Sequence, residues 1–285
     1  ALLELAMMNA DRALVRRSLS RGSDPQMLER TLALLGRLAG IERFPFRIEA
    51  YDISHHGKGA RSGSMIVFRQ GKPERASYRH FSIKGFEGID DYRALAEIIG
   101  RRLARLNEES FGNRPDLILV DGGVGHVSAA LPLAERHGLP VAGMVKDDRH
   151  RTRGLVLPSG KVVELTTAGS LRDCLADDEQ GDKEDDSLRE SEDLRAMRLG
   201  LLHLLTSIQD EAHRFALRHN RRVRKKQAMR YALEAIPGVG PARRKRLLEH
   251  FGTSKQISEA SLDELKSVTG IPYTVAEAVY NHFKE

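Results

Sequence analysis

Two aspartates close two candidate strands: Asp52 in YDISHH and Asp121 in ILVDGG. Brought side by side, bare carboxylates repel one another and are costly to hold away from water. A cation relieves that cost, and a hard divalent ion such as Mg²⁺ or Mn²⁺ selects oxygen donors. Two such ions can activate a water and stabilise the leaving oxygen of a phosphodiester. A third ligand or a general base is then needed opposite the pair. His213, in QDEAHRFALRHN, is the candidate, because neutral imidazole binds metal or takes a proton near pH 7. Taken singly, an aspartate at a strand end more often serves a turn, and a helical histidine is more often structural or exposed. The pairing of the acids, and the bases that directly follow His213, favour chemistry. Lys146 stands near another strand end and could contact a phosphate, whereas His55, His56 and His150 read as surface groups. No basic residue is expected beside the two acids. Asp90 and Asp91 precede a helix, where capping and dipole compensation are the default roles.

These groups matter only if folding gathers them. RIEAYDIS (47–54) alternates apolar and polar residues as a half-buried strand does, and SMIVFRQ (64–70) is a second strand. Gly71, Lys72 and Pro73 turn the chain into a third, ERASYRHFSI (74–83). YRALAEIIGRRLARLN (92–107) has helical spacing. Within PDLILVDGG (115–123), Leu117 to Asp121 stay apolar until the carboxylate at the end, the pattern of a parallel strand covered on both faces. A helix over 127–138 and a short strand over 140–146 follow. The order β-β-β-α-β-α-β predicts a ribonuclease H-like α/β domain, a mixed sheet flanked by helices. Its first and fourth strands are neighbours, which sets Asp52 beside Asp121. One long helix over 194–227 carries His213, with Leu201, Leu205, Ile208 and Ala212 as its core stripe and an Arg/Lys-rich linker after it.

The last part predicts a small all-α domain. ALEAIPGVGPARRKRLLEHFG (232–252) and SLDELKSVTGIPYTVAEAVYNHF (261–283) both read as helix, tight turn, helix. IPGVG is a helix-hairpin-helix signature. Gly238 and Gly240 let the backbone approach a ligand, and the amides opening the next helix can bind a phosphate. Arg243, Arg244 and Lys245 add positive charge there. The second copy carries Pro272, without an N–H, where the first has Gly240, so it is expected to hold phosphate less well or only to complete the core. Upstream, Arg221, Arg222, Arg224 and Lys225 lie in a basic strip, and Glu234 is the only acid between residues 212 and 246. A solvated face normally carries both signs, so the strip reads as a surface that tracks phosphates.

The 285 residues carry a net charge of +6, yet residues 173–193 hold eleven acids and two bases. That run buries too little to fold alone and is expected as a mobile insertion. One cysteine, Cys174, excludes an internal disulfide and a Cys-based zinc site, and fits a cytoplasmic setting. No apolar run approaches the roughly 18–20 residues that span a bilayer, so no membrane is expected as a partner. The start has no secretory signal. Aromatic residues are 5% and Trp is absent, which argues against a binder that works by stacking single-stranded bases. DGGVGH (121–126) lacks the full G-x-G-x-x-G spacing of a dinucleotide loop, and Gly122 and Gly123 are expected to admit a metal or a nucleic-acid backbone. The expected boundaries are a helical linker segment over 1–40, a ribonuclease H-like domain over 41–222 holding the insertion, and a tandem hairpin domain over 228–285. The missing initiator Met fits a piece of something longer.

YDISH, YRHFSIKG with DDYRALAEII, PDLILVDGGVGHVSAA, IQDEAHRFA and IPGVGPARRKRLLEHFG together resemble the C-terminal half of the UvrC family, from about residue 40 to the end. The resemblance implies a divalent-metal-dependent DNA endonuclease of bacterial nucleotide excision repair and the SOS response. It implies a 5′ incision beside a lesion in damaged double-stranded DNA, with UvrB as partner and the chain a monomer. By motif, Asp52, Asp121 and His213 match an Asp-Asp-His centre, Asp91 in DDY a further acid, and Gly238 and Gly240 the DNA-binding hairpin. No motif for a 3′ nuclease and no complete UvrB-docking segment is evident, so 3′ incision and firm docking on UvrB are not expected of this chain. Two other readings stay open: a non-catalytic DNA-binding and docking module, and a different ribonuclease H-like nuclease such as a junction resolvase.

Overall fold

A computed structural model describes residues 25–284 except 57–59, 84–89, 109–110, 168, 177–190 and 235. The helix expected before residue 25 and most of the acidic run lie outside these residues. The chain divides into two compact units, one up to Leu217 and one from Arg218 onward.

The first unit is built on a mixed sheet of eight strands among the described residues. They are β1 (Arg47–His56), β2 (Ala60–Arg69), β3 (Lys72–Pro73), β4 (Arg79–Ser82), β5 (Leu117–Asp121), β6 (Val141–Lys146), β7 (Thr152–Val156) and β8 (Val162–Glu164). Their order is β3-β2-β1-β5-β6-β7-β8, with β4 also paired to β2. β1, β5 and β6 run parallel; the other pairs are antiparallel. This is the expected ribonuclease H-like arrangement, with β5 at its parallel centre and Leu117 to Val120 wholly buried.

Helices α1 (Pro25–Leu38), α2 (Asp91–Leu103), α3 (Val124–Glu135), α4 (Gly169–Ala176) and α5 (Glu192–Glu234) flank or follow the sheet. Leu32, Leu35 and Leu38 of α1 and Leu95, Ile98 and Ile99 of α2 join one core with the strands. So do Leu201, Leu205, Ile208 and Ala212 of α5, the stripe expected from spacing. At about 1.5–3 kcal/mol for each large aliphatic side chain, that stripe fixes the helix carrying His213.

Two local expectations fail for identifiable reasons. The strand expected over 74–83 is cut down to β4 by a 3-10 turn at Arg75–Ser77, while the expected turn residues Lys72 and Pro73 pair as the short β3. Pro73 has no N–H to continue the ladder. The Glu74 carboxylate accepts from Ser77 Oγ and from Arg47, both at 2.7 Å, and so holds the turn. The linker expected after 227 is not one, because α5 continues to Glu234. Residues 225–234 contain no Gly or Pro and are mostly good helix formers. β7, β8 and α4 complete the unit, although they are too short for their periodicity to stand out.

The second unit contains the end of α5, then α6 (Pro241–Phe251), α7 (Ser254–Glu259), α8 (Leu262–Ser267) and α9 (Tyr273–Lys284). Leu233, Ile236, Val239, Leu247, Leu265, Ile271 and Val279 are among its core residues. Gly238 and Gly270 occupy the left-handed region, with φ of 83° and 81°, so the two hairpins turn alike. α7 is the one helix here that the repeat does not foreshadow.

Alternation along β1 sends Glu49 and Tyr51 to one face of the sheet and Asp52 to the other. Glu49, fully buried, accepts from Arg102 at 2.9 Å, from Arg47 at 3.1 Å and from the Tyr51 hydroxyl at 2.9 Å. Breaking such a network exposes an uncompensated charge to a dry core. Arg102→Met is therefore expected to lower the unfolding free energy by about 3–5 kcal/mol in a denaturant titration followed by circular dichroism. A loss below about 1 kcal/mol would show that Arg47 and Tyr51 suffice.

Candidate active site

Asp52 and Asp121 end neighbouring parallel strands. The register pairs Tyr51 of β1 with Val120 of β5, so the next residue on each strand is the aspartate. Adjacent strands lie about 4.8 Å apart, and both side chains take the same face. The neighbouring pairings extend this level across the sheet: His80 with Ser64, Ser64 with Asp52, and Asp121 with Met144.

The two carboxylates are not equivalent. Burial, and then the Asp121 charge, raise the Asp52 pKa to about 7; Lys146 and a hydrogen bond from Ser54 pull it down, and Asp91 pushes it up. Ser54 Oγ donates to Asp52 across a long 3.4 Å. Asp121 is far better satisfied, receiving Lys146 Nζ at 2.7 Å on one oxygen and Gln209 Nε2 at 2.7 Å on the other. Gln209 also donates to the Met144 carbonyl at 3.1 Å and accepts from the Thr152 hydroxyl, so its amide is held with the nitrogen toward Asp121. The expectation that no base adjoins the acids is thus corrected by Lys146. A register shift between Val145 and Lys146 re-aims that side chain, a local irregularity that alternation does not reveal.

The acids of the DDY motif divide their roles. Asp90 is the N-cap of α2 and accepts from Arg93 N at 2.9 Å. The Asp91 charge raises the pKa of both Asp52 and His126, so it belongs to the same electrostatic neighbourhood. His126 was not singled out by sequence reasoning, nor were Gln209 and Tyr92. Burial lowers the His126 pKa while Asp91 and Asp121 oppose that shift. The Tyr92 ring meets the His126 ring edge-on, with centroids 4.9 Å apart. A Cβ on Gly122 would collide with His126, so this glycine makes room for an imidazole rather than for a metal or a DNA backbone. Space beside Gly123 is open. The signal for both rings lay in the sequence, one in DGGVGH and one in DDY.

His213 is exposed on α5, one turn beyond Gln209. Nearby anchors hold this stretch. Tyr78 donates to Glu211 at 3.0 Å, and Phe215 stacks on His80 with centroids 3.9 Å apart. The structure does not gather His213 with the two aspartates into one ligand set. Among the described residues, no three His, Cys, Asp or Glu side chains stand close enough to hold one ion. Asp52 and Asp121 alone fit a hard divalent cation: both are oxygen donors, and an ammonium already answers part of their charge.

In the second unit, Gly240 is the N-cap of α6 and has an extended backbone, with φ −80° and ψ 177°. No side chain caps that end, which leaves its first-turn amides available to an anion. Arg243 donates to the Gly238 carbonyl at 2.7 Å, and Arg246 to the Gly270 carbonyl at 3.3 Å. Arg244 is half-buried, whereas Lys245, Arg221 and Arg222 are exposed. The side chains of Arg224 and Lys225 lie outside the described residues.

The state of Asp52 has a measurable consequence. The folded protein keeps a proton on Asp52 that an unfolded aspartate gives up near pH 4. Folding therefore loses stability as pH rises from about 4 through about 7, by on the order of 4 kcal/mol. In metal-free buffer, Asp52→Asn should raise the melting temperature clearly at pH 8 and hardly at pH 4. An equal change at both pH values would contradict the buried, repelled carboxylate.

A family model described as the UvrC RNAse H endonuclease domain matches residues 36–217, and one described as a SAM-like helix-hairpin-helix tandem matches residues 231–285. The UvrABC system protein C of Acetivibrio thermocellus is 39% identical over 270 residues, covering 88% of this chain and 38% of that protein. Its counterpart in Caldanaerobacter subterraneus is 40% identical over 284 residues, covering 93% and 40%. The one in Alkaliphilus oremlandii is 36% identical over 301 residues, covering 100% and 43%. The chain thus spans about two fifths of the length of these relatives. Likeness to solved structures is slight: the catalytic domain of human Endonuclease V shows 20% identity and a TM-score of 0.29, over 42% of this chain and 61% of that one. With the endonuclease-domain match extending over most of the first unit and the hairpin match over most of the second, this chain belongs to the UvrC family.

Proposed function

We propose that the chain is an endonuclease of nucleotide excision repair that hydrolyses one phosphodiester on the 5′ side of a lesion in duplex DNA. The observation that supports this most is the side-by-side placement of Asp52 and Asp121, with their charge only partly answered by Lys146. In this reading Asp52 and Asp121 hold Mg²⁺ or Mn²⁺, which when bound lowers the pKa of a water and polarises the phosphate. Gln209 keeps Asp121 oriented. Lys146 leaves Asp121 for a non-bridging phosphate oxygen, trading one anion for another. The charge of Asp91 deepens the negative potential that draws the cation. His213, which the structure does not hold in one ligand set with the pair, would take the proton of the attacking water. The water oxygen bonds to phosphorus while the bond to the sugar oxygen breaks, and that oxygen leaves with a proton.

The tandem hairpins grip the duplex by its backbone. The amides behind Gly238 and Gly240 bind phosphate, and Arg243, Arg244, Lys245, Arg221, Arg222, Arg224 and Lys225 add charge without reading bases. The partners are damaged double-stranded DNA and UvrB, the chain acts as a monomer, and its compartment is the cytoplasm. No helix of the described residues is long and apolar enough to cross a membrane.

Asp121→Asn is expected to reduce nicking of a lesion-bearing bubble duplex in Mn²⁺ by at least about 10³-fold, while duplex affinity changes less than about twofold. Cutting at the wild-type rate would sink the assignment. That no three-ligand cluster stands among the described residues favours the second reading, a DNA-docking module without chemistry. Paramagnetic resonance of Mn²⁺ titrated onto the chain separates the two: binding lost in Asp52→Asn supports the enzyme, and no binding at all supports the module. For the DNA grip, Arg221→Ala with Arg222→Ala should weaken binding equally on unrelated sequences. The slope of log affinity against log salt should also fall by about 2.

A further inference from the structure

Tyr92 and Val124 are 51% and 47% exposed, two of the five large hydrophobic residues left open among the described residues. A single exposed apolar side chain needs no explanation. These two flank the acids: Tyr92 follows Asp91, and Val124 lies three residues beyond Asp121. The Tyr92 ring is also seated. It meets the His126 ring at 4.9 Å, and it fills the space where a side chain on residue 125 would stand. A Cβ on Gly125 would come within 2.7 Å of the ring carbons and the hydroxyl. The first turn of α3 therefore forgoes a side chain to receive this ring, yet about half of the tyrosine faces solvent. His126 in turn sits beside Gly122, the residue directly after Asp121. An aromatic side chain seated on Gly125 and His126, and about half open to solvent, thus stands near the carboxylate pair.

We propose that Tyr92, with Val124 beside it, is a lip that receives the nucleobase next to the phosphate held at Asp52 and Asp121. The base stacks on the exposed ring, and Val124 fills the gap left by its lost neighbour. This rests on the endonuclease reading and adds a positioning residue to it. Every base offers a π face, so the lip tolerates any sequence, as an enzyme directed to damage rather than to sequence requires. A fixed ring loses little rotamer freedom when a base lands on it, and apolar wedges of this kind hold a strand unstacked. Two apolar groups at one rim are also compatible with the low aromatic content, since one stacked base sets register and does not supply the bulk of the affinity.

The test uses the full chain carrying Asp121→Asn, so that binding is read without cutting. The probe is a lesion-bearing bubble duplex in which 2-aminopurine replaces one base at a time, through the bubble and both flanks. One position is expected to change its fluorescence on binding. Tyr92→Ala should abolish that change, and Tyr92→Phe should keep it. On the chain with Asp121 intact, Tyr92→Ala should raise the DNA concentration for half-maximal nicking about tenfold, with Tyr92→Phe within about twofold. Melting curves of both variants check that the fold survives. Retention of the fluorescence change by Tyr92→Ala, or its equal loss in Tyr92→Phe, overturns the lip. Failure of the nuclease reading shows separately, as nicking no faster with Asp121 than with Asn, while the fluorescence walk still decides whether a base stacks on Tyr92.

Discussion

Two carboxylates at the ends of adjacent parallel strands repel one another, and much of the first unit answers that repulsion. The answer is lopsided. Asp121 receives an ammonium on one oxygen and a clamped amide on the other. Asp52 receives one long hydroxyl contact and relieves its charge by keeping a proton, with its pKa raised to about 7. One member is thus fixed in place and charge, and the other is free to exchange a proton for a cation. Near neutral pH that exchange costs little, because the proton is already half lost. A divalent ion entering the pair would meet an oriented first ligand and a second that charges as it binds.

The same strand shows what a purely structural carboxylate looks like. Glu49 lies three residues before Asp52 and faces the opposite side of the sheet. Two guanidinium groups and a phenol donate to it in full burial. No partner is missing, and no cation is invited. The contrast on one strand separates charge that holds the fold from charge left under-satisfied at the candidate site. It also explains why β1 can carry an under-satisfied aspartate at its exit. The buried network pins the strand from behind, so the strain of Asp52 cannot be relieved by moving the backbone.

The placement of Asp52 beside Asp121 was legible because it needs only coarse information. An apolar run ending in a carboxylate marks a central parallel strand, and strand order then supplies the neighbour. The stripe Leu201, Leu205, Ile208 and Ala212 was legible for the same reason, since burial follows period. What escaped depends on departures from period. Lys146 reaches Asp121 through a bulge, and the third strand breaks where Glu74 ties back to Ser77 and Arg47. Gln209 looked like any polar residue of a long helix. Gly122 and Gly123 read as openings for a ligand, whereas the space beside Gly122 is taken by His126 and only that beside Gly123 is open. The Arg/Lys-rich run at 221–226 suggested an end to the helix, yet the helix propensity of residues 225–234 carries it on to Glu234.

Charge and function also part company in the hairpins. The arginines of α6 look alike in sequence, and all of them invite a role on phosphate. Arg243 and Arg246 nevertheless spend a donor on the carbonyls of Gly238 and Gly270, the two residues whose left-handed backbone makes the turns. A guanidinium so engaged stiffens the loop that presents the helix amides. It contributes to binding mainly by preorganisation, which does not depend strongly on salt. Arg221, Arg222 and Lys245 stand in solvent, and in the proposed grip they would displace counterions when a phosphate arrives. The salt dependence of binding should therefore reside in the helix before the hairpin and in Lys245, and the geometric selectivity in the turns themselves. A grip built that way would hold any duplex of regular shape and would leave the choice of where to cut to whatever distorts it.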